Sequence, residues 1–406
     1  MDHDVAARLI AGMYPIVLLL LVAGGPPRVH AAPPADSAGF VTVLGRDTVA
    51  LENYRRSASR LEGEFVLRVP STVYFRYVVD LRGDGSASRS TLELKPATPG
   101  GPAARRVVIE FVGDSARVTV DSSGGRSTVT RAAPRGTIPM LTTGFGPELG
   151  IYVPIGMYEL AAERVGQSAG DSVAVPVISP FSGRAGTRQV VRRSATLVDV
   201  DYFRIAWTHV TVDPDRHVQQ VDMSETTEKT MSRRSAMLNI AASVKEFAAR
   251  DGKGQGIGRA SPPDSARLTI GGASVAVDYS SPRLRGRKIV GETVPYDRVW
   301  RTGANAASVL RTDKDLTVGG TRVAAGTYTL WTLPKTGGVE LIINTQHGQW
   351  GTEYKPELDY ARVPMTLTKA NAPRENFAIL LVPKENDAEL QIAWDDFVWS
   401  VPVVVR

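Results

Sequence analysis

Apolar and polar residues alternate along most of the chain, and this is the pattern of half-buried β-strands. Before residue 233, five segments show it and are predicted to be strands: 65–69, 73–79, 107–112, 117–120 and 202–207. After residue 264, five more show it: 274–279, 327–332, 339–343, 377–382 and 389–394. Turn-forming clusters such as 82–85 and 122–125 separate the strands. We therefore predict an all-β fold.

Two segments instead have a helical period. Residues 157–165 carry alanine at helix-favouring positions. Residues 235–250 place apolar side chains three and four positions apart on one helix face: Met237, Leu238, Ala241, Val244 and Phe247. Alternate glycines at 252–258 and the Ser-Pro-Pro at 261–263 follow. A helix that ends in such a stretch is typical of a domain boundary.

These patterns predict two domains. Residues 38–233 are expected to form an antiparallel sheet or open barrel with a helix, a shape that would suit an internal cavity for a lipid-like ligand. Residues 234–263 are the helix and the Gly/Pro linker. Residues 264–406 have the short strands and regular turns of a β-sandwich or jelly roll. In the last strand one face carries Phe397, Trp399, Val401 and Val403, and five of the six tryptophans lie after residue 264.

The amino-terminal segment 1–31 has the features of a secretory signal peptide. The apolar run 16–22 follows Arg8, and Val29-His-Ala31 has the small residues of a cleavage site, so we expect cleavage near Ala31. No later stretch is apolar for long enough to span a bilayer. The chain has 0 cysteines, which excludes disulfides and thiol lipidation. We predict a periplasmic or secreted protein without a transmembrane segment in its mature form.

The net charge of +6 does not by itself indicate a nucleic-acid partner. The basic residues are mostly arginines that occur singly along strands and loops, with a few Arg-Arg pairs such as 105–106 and 233–234. A binding surface would need them clustered on one face. We therefore expect no nucleic-acid partner.

Three motifs lack the order or spacing that their chemistry requires. Gly166-Gln-Ser-Ala-Gly170 matches a hydrolase nucleophile elbow, but it follows a helix and precedes a strand, which is the reverse of the required order. His209 and His217 flank an Asp-Pro-Asp-Arg turn, and the resulting hairpin would separate their imidazoles. The glycines at 252–258 lack the spacing of a phosphate-binding loop. We expect no metal and no cofactor, and no catalytic residue is assigned.

The densest concentration of functional residue types lies between residues 279 and 305. Aromatic, arginine and asparagine residues occur there without strand or helix period, as in a binding loop. Trp300 could stack on a planar ring, Arg301 could hold an anion with two hydrogen bonds, and Asn305 could donate and accept. The alternative is structural, with Trp300 covering the sandwich, Arg301 bonding loop carbonyls, and Gly303 and Asn305 in turn geometry.

The second domain resembles a bacterial secreted family known only as domain of unknown function 2911. The resemblance covers residues 262–406 and rests on the following strings: Tyr279-Ser-Ser-Pro-Arg283, Gly286-Arg287, Val294-Pro-Tyr296, Trp300-Arg-Thr-Gly-Ala-Asn305, Gly319-Gly320, Ala325-Gly-Thr-Tyr328 with Pro334, Asn344, and Trp350-Gly351 with Tyr354. The chain departs from the family at Ala307-Ser308, where threonine is usual. The resemblance implies export and an all-β fold, and it implies no reaction.

The candidate ligand-binding residues are those of the dense segment together with two matching positions further on: Tyr279, Arg283, Arg287, Tyr296, Trp300, Arg301, Asn305, Asn344 and Trp350. We expect a non-enzymatic protein that binds a small molecule, with a glycan as one possibility. A cell-envelope hydrolase or lyase is the alternative and would use acids or bases near the loop: Asp297, His347, Glu353 and Asp359. An envelope assembly protein is a third reading, which an exposed apolar patch near 235–250 would favour.

Overall fold

Two large antiparallel β-sheets and two α-helices make up the protein, and neither sheet closes into a barrel. The computed structural model describes residues 35–95, 103–140, 152–180, 183–385 and 387–405. The predicted signal peptide and its cleavage site near Ala31 lie outside the described residues. The all-β prediction is confirmed.

The first sheet has fourteen strands. They are β1 (Asp36–Leu44), β2 (Asp47–Ser57), β3 (Arg60–Leu67), β4 (Val73–Leu81), β5 (Ala87–Lys95), β6 (Arg105–Val112), β7 (Ser115–Ser122), β8 (Gly125–Ala132), β9 (Ser172–Ile178), β10 (Ala185–Arg192), β11 (Leu197–Tyr202), β12 (Ala206–Val212), β13 (Val218–Asp222) and β14 (Thr230–Ser235). Helix α1 (Ile155–Gln167) lies between β8 and β9 in the chain, and helix α2 (Ile240–Gly252) follows β14. Within the runs β1–β8 and β9–β14 each strand pairs with its neighbour in sequence, and β1 pairs with β14 to join the two runs.

The first sheet curls around α1. Beyond β8, Ile138 pairs with Val177 of β9, which is the strand at the opposite end of the sheet. Nearly every side chain of α1 is buried, and the helix contacts strands from both halves of the sheet. The alternating strands supply the apolar face that covers it, as in β4, where Phe75, Tyr77 and Val79 are buried. The helix predicted at 157–165 is confirmed as α1.

One predicted strand of the first sheet is wrong. Residues 202–207 form the turn between β11 and β12, where Tyr202 pairs with Ala206. Phe203 and Arg204 have φ angles of 53° and 61°, so the chain reverses there. The alternation of apolar residues across this segment comes from the ends of two strands, and neither glycine nor asparagine marks the turn.

The second helix starts later than its apolar pattern predicts. Asn239 caps α2 by accepting a hydrogen bond from the N–H of Ala242 at 3.0 Å. Met237 and Leu238 therefore precede the helix, and the side chain of Asn53 bonds both backbone groups of Leu238. Val244 and Phe247 are buried with Leu51 and Val66 of the first sheet. The apolar face of this helix is thus covered, and it does not supply the exposed patch that an assembly protein would need.

The second sheet has nine strands. They are β15 (Pro263–Ile270), β16 (Ala273–Ser280), β17 (Ser308–Thr312), β18 (Leu316–Val318), β19 (Thr321–Val323), β20 (Gly326–Lys335), β21 (Gly338–Asn344), β22 (Asp359–Lys384) and β23 (Asp387–Val405). Their order is β15-β16-β17-β20-β21-β22-β23-β18-β19, and a short 3-10 helix covers Pro356–Leu358. Val275 of β16 and Val403 of β23 share one core although their strands are far apart in this order, so the sheet folds over into two layers. Trp399 and Val401 point into that core as the alternation predicts.

Contacts between the hairpin β1–β2 and residues 284–287 connect the two sheets. The N–H of Arg46 donates to the carbonyl of Arg285 at 2.9 Å, and the buried Arg285 guanidinium pairs with Asp47. Both sheets belong to one compact unit. The division into domains at 234–263 stays a prediction. Neither helix of the described part of the chain is long and apolar enough to cross a bilayer.

Candidate functional site

A cavity of about 1320 Å³ lies between the first sheet and the loop formed by residues 300–305, which we call the Trp300 loop. One wall comes from strands β1, β2 and β3, the start of α1 and the segments around 202–206 and 223–230. The other wall comes from the Trp300 loop, residues 350–354 and Trp394. The site that the sequence placed in the second domain therefore uses both parts of the chain.

The wall from the first sheet is mainly apolar. Its side chains include Leu44, Val49, Leu67, Val153, Ile155, Val221 and Met223. Leu44, Leu67 and Val221 come from the face of the sheet that packs on α1, because side chains alternate between the two faces of a strand, and Val153 and Ile155 come from just before and at the start of the helix itself. Such a wall favours ligands with a substantial apolar part.

Residues 300–305 are held in a strained conformation. Thr302 and Asn305 have φ angles of 51° and 59°, and Gly303 has 148°. Threonine is β-branched, so a positive φ costs it conformational energy that the surroundings must offset. The hydroxyl of Ser308 donates to the carbonyl of Thr302 at 2.6 Å and helps to hold the turn.

Trp300 is fixed by other aromatic rings. Its ring stacks on Trp394 at 6.0 Å between centroids and meets Phe377 edge-on at 5.4 Å. The Trp300 backbone also exchanges hydrogen bonds with Thr332. One face of the indole belongs to the sandwich core while its remaining surface lines the cavity. Trp300 can therefore both cover the sandwich core and offer part of its ring to a ligand.

Arg301 projects from this fixed loop into the cavity. Its Nε is buried without a hydrogen-bond partner, and among the described residues no acid lies within ion-pair distance of it. Burial lowers the pKa of the guanidinium, and Tyr202 and Glu228 oppose this effect. A cation that is partly buried without a contacting partner is less stable than one whose charge an anion meets.

Two further candidates line the cavity beside the Trp300 loop. Arg287 donates to the carbonyls of Leu284 and Arg283, and burial, together with the charge of Arg285, lowers its pKa to about 10. Trp350 is 41% exposed and lies at the cavity edge. The structure thus brings together Arg287, Trp300, Arg301, Asn305 and Trp350.

The remaining four candidates do not line the cavity. The Tyr279 hydroxyl bonds Asp264 at 3.1 Å, and Arg283 donates to the carbonyl of Ile257 at 3.0 Å. Asn344 is fully buried and donates to the Lys355 carbonyl and to Asp359. Tyr296 is 44% exposed on the surface. The hydrogen bonds made by Tyr279, Arg283 and Asn344 hold the segments around the sandwich in place.

The sequence did not single out the segment 224–229, which contributes charge to the site. Glu225, Glu228 and Lys229 line the cavity from the connection between β13 and β14. Burial, followed by the charges of Arg301 and Arg287, lowers the pKa of Lys229. Its ammonium donates to the carbonyl of Ser224 at 2.8 Å. A Ser-Glu-Thr-Thr-Glu-Lys string reads as an ordinary polar turn, so only the tertiary structure reveals its position.

The acids and bases considered for a hydrolase do not converge on Arg301. Of the four candidates only Glu353 lines the cavity. Asp359 accepts hydrogen bonds from Tyr354, Asn344 and Arg362 outside it. His347 and Asp297 are exposed and are not among the lining residues. These four residues therefore do not form an acid–base pair with one another in the cavity.

A buried carboxyl group lies behind two of the residues that line the cavity. Glu52 accepts hydrogen bonds from the hydroxyls of Tyr77 and Tyr152 and from the N–H of Ile155, the first residue of α1. Burial raises the pKa of Glu52 to about 7, although these hydrogen bonds oppose the increase. Tyr152 and Ile155 also line the cavity, so Glu52 fixes part of its wall.

A second buried polar cluster lies deeper in the first sheet. Asp36, Glu159 and His217 approach one another closely enough to hold a metal ion. Their oxygens already have partners, because Tyr54 bonds both acids and Arg234 donates to Asp36 at 2.5 Å. His209, the other histidine of the hairpin, pairs with Asp199 instead. The close approach of these three side chains is therefore explained by hydrogen bonds within the core of the protein.

Residues 261–403 match the model of the family described as "Protein of unknown function (DUF2911)". The resemblance found in the sequence is confirmed for this region, and the region before it has no family match. No curated protein matches the chain.

Two solved structures are similar in parts. A DUF1089 family protein from Pseudomonas aeruginosa is 12% identical, with a TM-score of 0.23, over 42% of this chain and 88% of its own. A double mutant of the vaccine antigen Transferrin Binding Protein B from Haemophilus parasuis is 8% identical, with a TM-score of 0.13, over 92% of this chain and 76% of its own. Such low scores carry no functional argument.

Proposed function

We propose that this chain is an exported, non-enzymatic binding protein that holds a largely apolar small molecule between its first sheet and the Trp300 loop. The observation that carries the proposal is the cavity of about 1320 Å³ with its apolar wall. Ligand sites usually measure roughly 300–1,000 Å³, with mainly apolar linings and a few polar groups. A space of this size suits a ligand with a long or bulky apolar part.

Export is the second part of the proposal. It is supported by the signal-peptide pattern at 1–31. A protein that carries an apolar molecule through an aqueous compartment needs an interior cavity, because the ligand must be kept from water. The two parts of the proposal are therefore consistent.

A glycan ligand remains the second candidate, and Trp350 favours it. This ring is partly exposed at the cavity edge, where a sugar ring could stack on it. The apolar wall argues the other way, because sugar hydroxyls placed against Leu44 or Val49 would lose hydrogen bonds to water. An apolar ligand therefore fits the larger part of the cavity.

The test is binding of N-phenyl-1-naphthylamine, an uncharged dye that fluoresces in apolar surroundings, to the purified full chain. We expect saturable binding and its displacement by dodecanol, with no displacement by soluble oligosaccharides. Val49→Trp fills part of the cavity and should weaken dye binding by about tenfold, roughly 1.4 kcal/mol. Val112→Trp is the matched control, because Val112 is 73% exposed on β6 and lies outside the cavity.

Two outcomes would contradict the proposal. One is dye binding that does not saturate in the unchanged protein. The other is a Val49→Trp variant that folds and binds as tightly as the Val112→Trp control. Displacement by oligosaccharides but not by dodecanol would favour the glycan reading instead.

A further inference from the structure

Among the described residues, the apolar cavity contains an arginine that is partly buried and whose bonding capacity is unused. An arginine side chain carries five N–H donors in a planar fork that matches a carboxylate or a phosphate. Arg301 makes no hydrogen bond or ion pair through its side chain with any described residue, and its Nε is buried. By contrast, the cavity-lining Arg287 donates to two backbone carbonyls. Arg298 also has no such bond but is exposed, so Arg301 is the less exposed of the two arginines with donors available for a ligand.

The surroundings hold Arg301 in place without neutralising it. Its backbone belongs to the strained Trp300 loop, whose neighbouring Trp300 is packed between Trp394 and Phe377. Its side chain passes directly over Gly351, where a β-carbon would overlap the Arg301 Cδ. The nearest influences on its charge are Tyr202 and Glu228, and the Glu228 carboxylate is bonded by the Tyr202 hydroxyl at 3.0 Å.

The lining of the cavity is positively charged overall. Arg259, Arg287, Arg298 and Lys229 also line the cavity, against Glu225, Glu228 and Glu353. Counting Arg301, five basic residues face three acidic ones, a net charge of +2. In a cavity with low-dielectric walls such an excess attracts anions. The apolar wall lies opposite, so the two halves of the cavity suit the two ends of an amphiphile.

We propose that the ligand is an anionic amphiphile, whose carboxylate or phosphate head is bound by Arg301 and whose hydrocarbon chain lies on the apolar wall formed by Leu44, Val49, Leu67 and Met223. This inference rests on the proposed function, since it assigns the ligand class of the same cavity. The head would meet the unused donors of Arg301, and its charge would remove the cost of burying that cation. The chain would contribute through burial of its apolar surface.

The experiment compares four ligands with the same twelve-carbon chain in displacing N-phenyl-1-naphthylamine: dodecanoate, dodecyl phosphate, dodecanol and dodecylamine. Acetate and inorganic phosphate test whether a head group alone is enough. In the unchanged protein, one or both anions should displace the dye at about tenfold lower concentration than dodecanol, and dodecylamine should be weakest. The two anions together show whether the head is a carboxylate or a phosphate.

Arg301→Gln should make dodecanoate and dodecanol equal while leaving dodecanol binding unchanged. Arg301→Lys keeps the charge but loses the forked geometry, so it should retain only part of the preference for anions. Arg267→Gln is the control, since Arg267 is exposed on β15 and pairs with Asp278 outside the cavity. Thermal unfolding of each variant shows that it is folded.

The outcomes separate this inference from the proposed function. If dodecanoate and dodecanol bind the unchanged protein equally, the inference is wrong and the apolar binding function stands. If Arg301→Gln and Arg301→Lys both fold and keep the full preference for anions, Arg301 is not the binding group. If no ligand with the twelve-carbon chain displaces the dye, the proposed function itself fails.

Discussion

Gly351 leaves the space that the Arg301 side chain occupies. A β-carbon at position 351 would overlap the Cδ of Arg301, and the Gly351 N–H donates to the Asn305 carbonyl at 2.9 Å. The residue pair thus connects the segment 350–354 to the Trp300 loop on one wall of the cavity. Since the φ angle of Gly351 is not positive, its lack of a side chain serves this close approach and not an unusual backbone conformation.

Gly351→Ala should therefore displace Arg301 and reduce the preference for anionic ligands. We expect a loss of stability of about 1–3 kcal/mol from the crowded contact, measured by urea unfolding. Gly337→Ala is the matched control, because nothing lies near a β-carbon there and its φ angle is not positive. A Gly351→Ala protein that keeps both its stability and its preference for anions would show that Arg301 can move aside without consequence.

Trp300 and Trp350 should respond differently to truncation. Trp300 packs against Trp394 and Phe377, so Trp300→Ala should cost about 3–5 kcal/mol of stability. Trp350 is 41% exposed, so Trp350→Ala should change stability by less than about 1 kcal/mol and mainly weaken dye binding. Urea unfolding and dye titration of both variants check this contrast. Equal effects of the two substitutions on stability would contradict the view that Trp300 supports the fold whereas Trp350 mainly contacts the ligand.

Tyr54 connects the two acids of the buried cluster in the first sheet. Its hydroxyl lies 2.6 Å from Glu159 and 3.0 Å from Asp36. Tyr54→Phe leaves these buried oxygens short of a donor and should cost about 1–3 kcal/mol in thermal or urea unfolding. Tyr360→Phe is the control, since Tyr360 is 42% exposed, and its effect should stay within about 0.5 kcal/mol. If both substitutions cost the same, the cluster does not contribute to stability as its contacts imply.

Most strands could be predicted because the alternation of apolar and polar residues shows directly which side chains lie on the buried face of a strand. Phe75, Tyr77 and Val79 alternate in sequence and are buried together in the structure. The turn at Phe203 was missed because its positive φ angle falls on a residue that rarely adopts one. The prediction that the second helix already includes Met237 and Leu238 is wrong. These residues fit the apolar period, but the cap at Asn239 decides where the helix begins.

Only part of the candidate site could be predicted from the sequence, and the reason differs from the one that applies to the strands and helices. Composition alone pointed to Trp300, Arg301 and Asn305, because residues of these types are unusual in a segment without period. The same logic selected Asn344, which is buried and holds its own chain together. Sequence composition cannot separate a polar group that bonds the backbone from one that awaits a ligand. Lys229 and the apolar wall of the first sheet depend on long-range packing, which no local pattern encodes.

Glu52 should make stability depend on pH. Burial raises its pKa in the folded protein to about 7 from 4.5, so the folded state holds a proton more tightly than the unfolded state does. The protonated carboxyl therefore stabilises the fold below pH 4.5, and this stabilisation is lost as pH rises towards 7. The loss amounts to at most about 3 kcal/mol.

Glu52→Gln removes this titration, so the stability difference between the variant and the unchanged protein should shift in favour of the variant as pH rises from 4.5 to 7. Urea unfolding of both proteins at several pH values measures it, and comparing the two cancels the titration of groups such as His217. Tyr152→Phe removes a hydrogen bond that lowers the Glu52 pKa, so it should move the transition to higher pH. Parallel stability curves for Glu52→Gln and the unchanged protein would show that Glu52 does not change its protonation across this range.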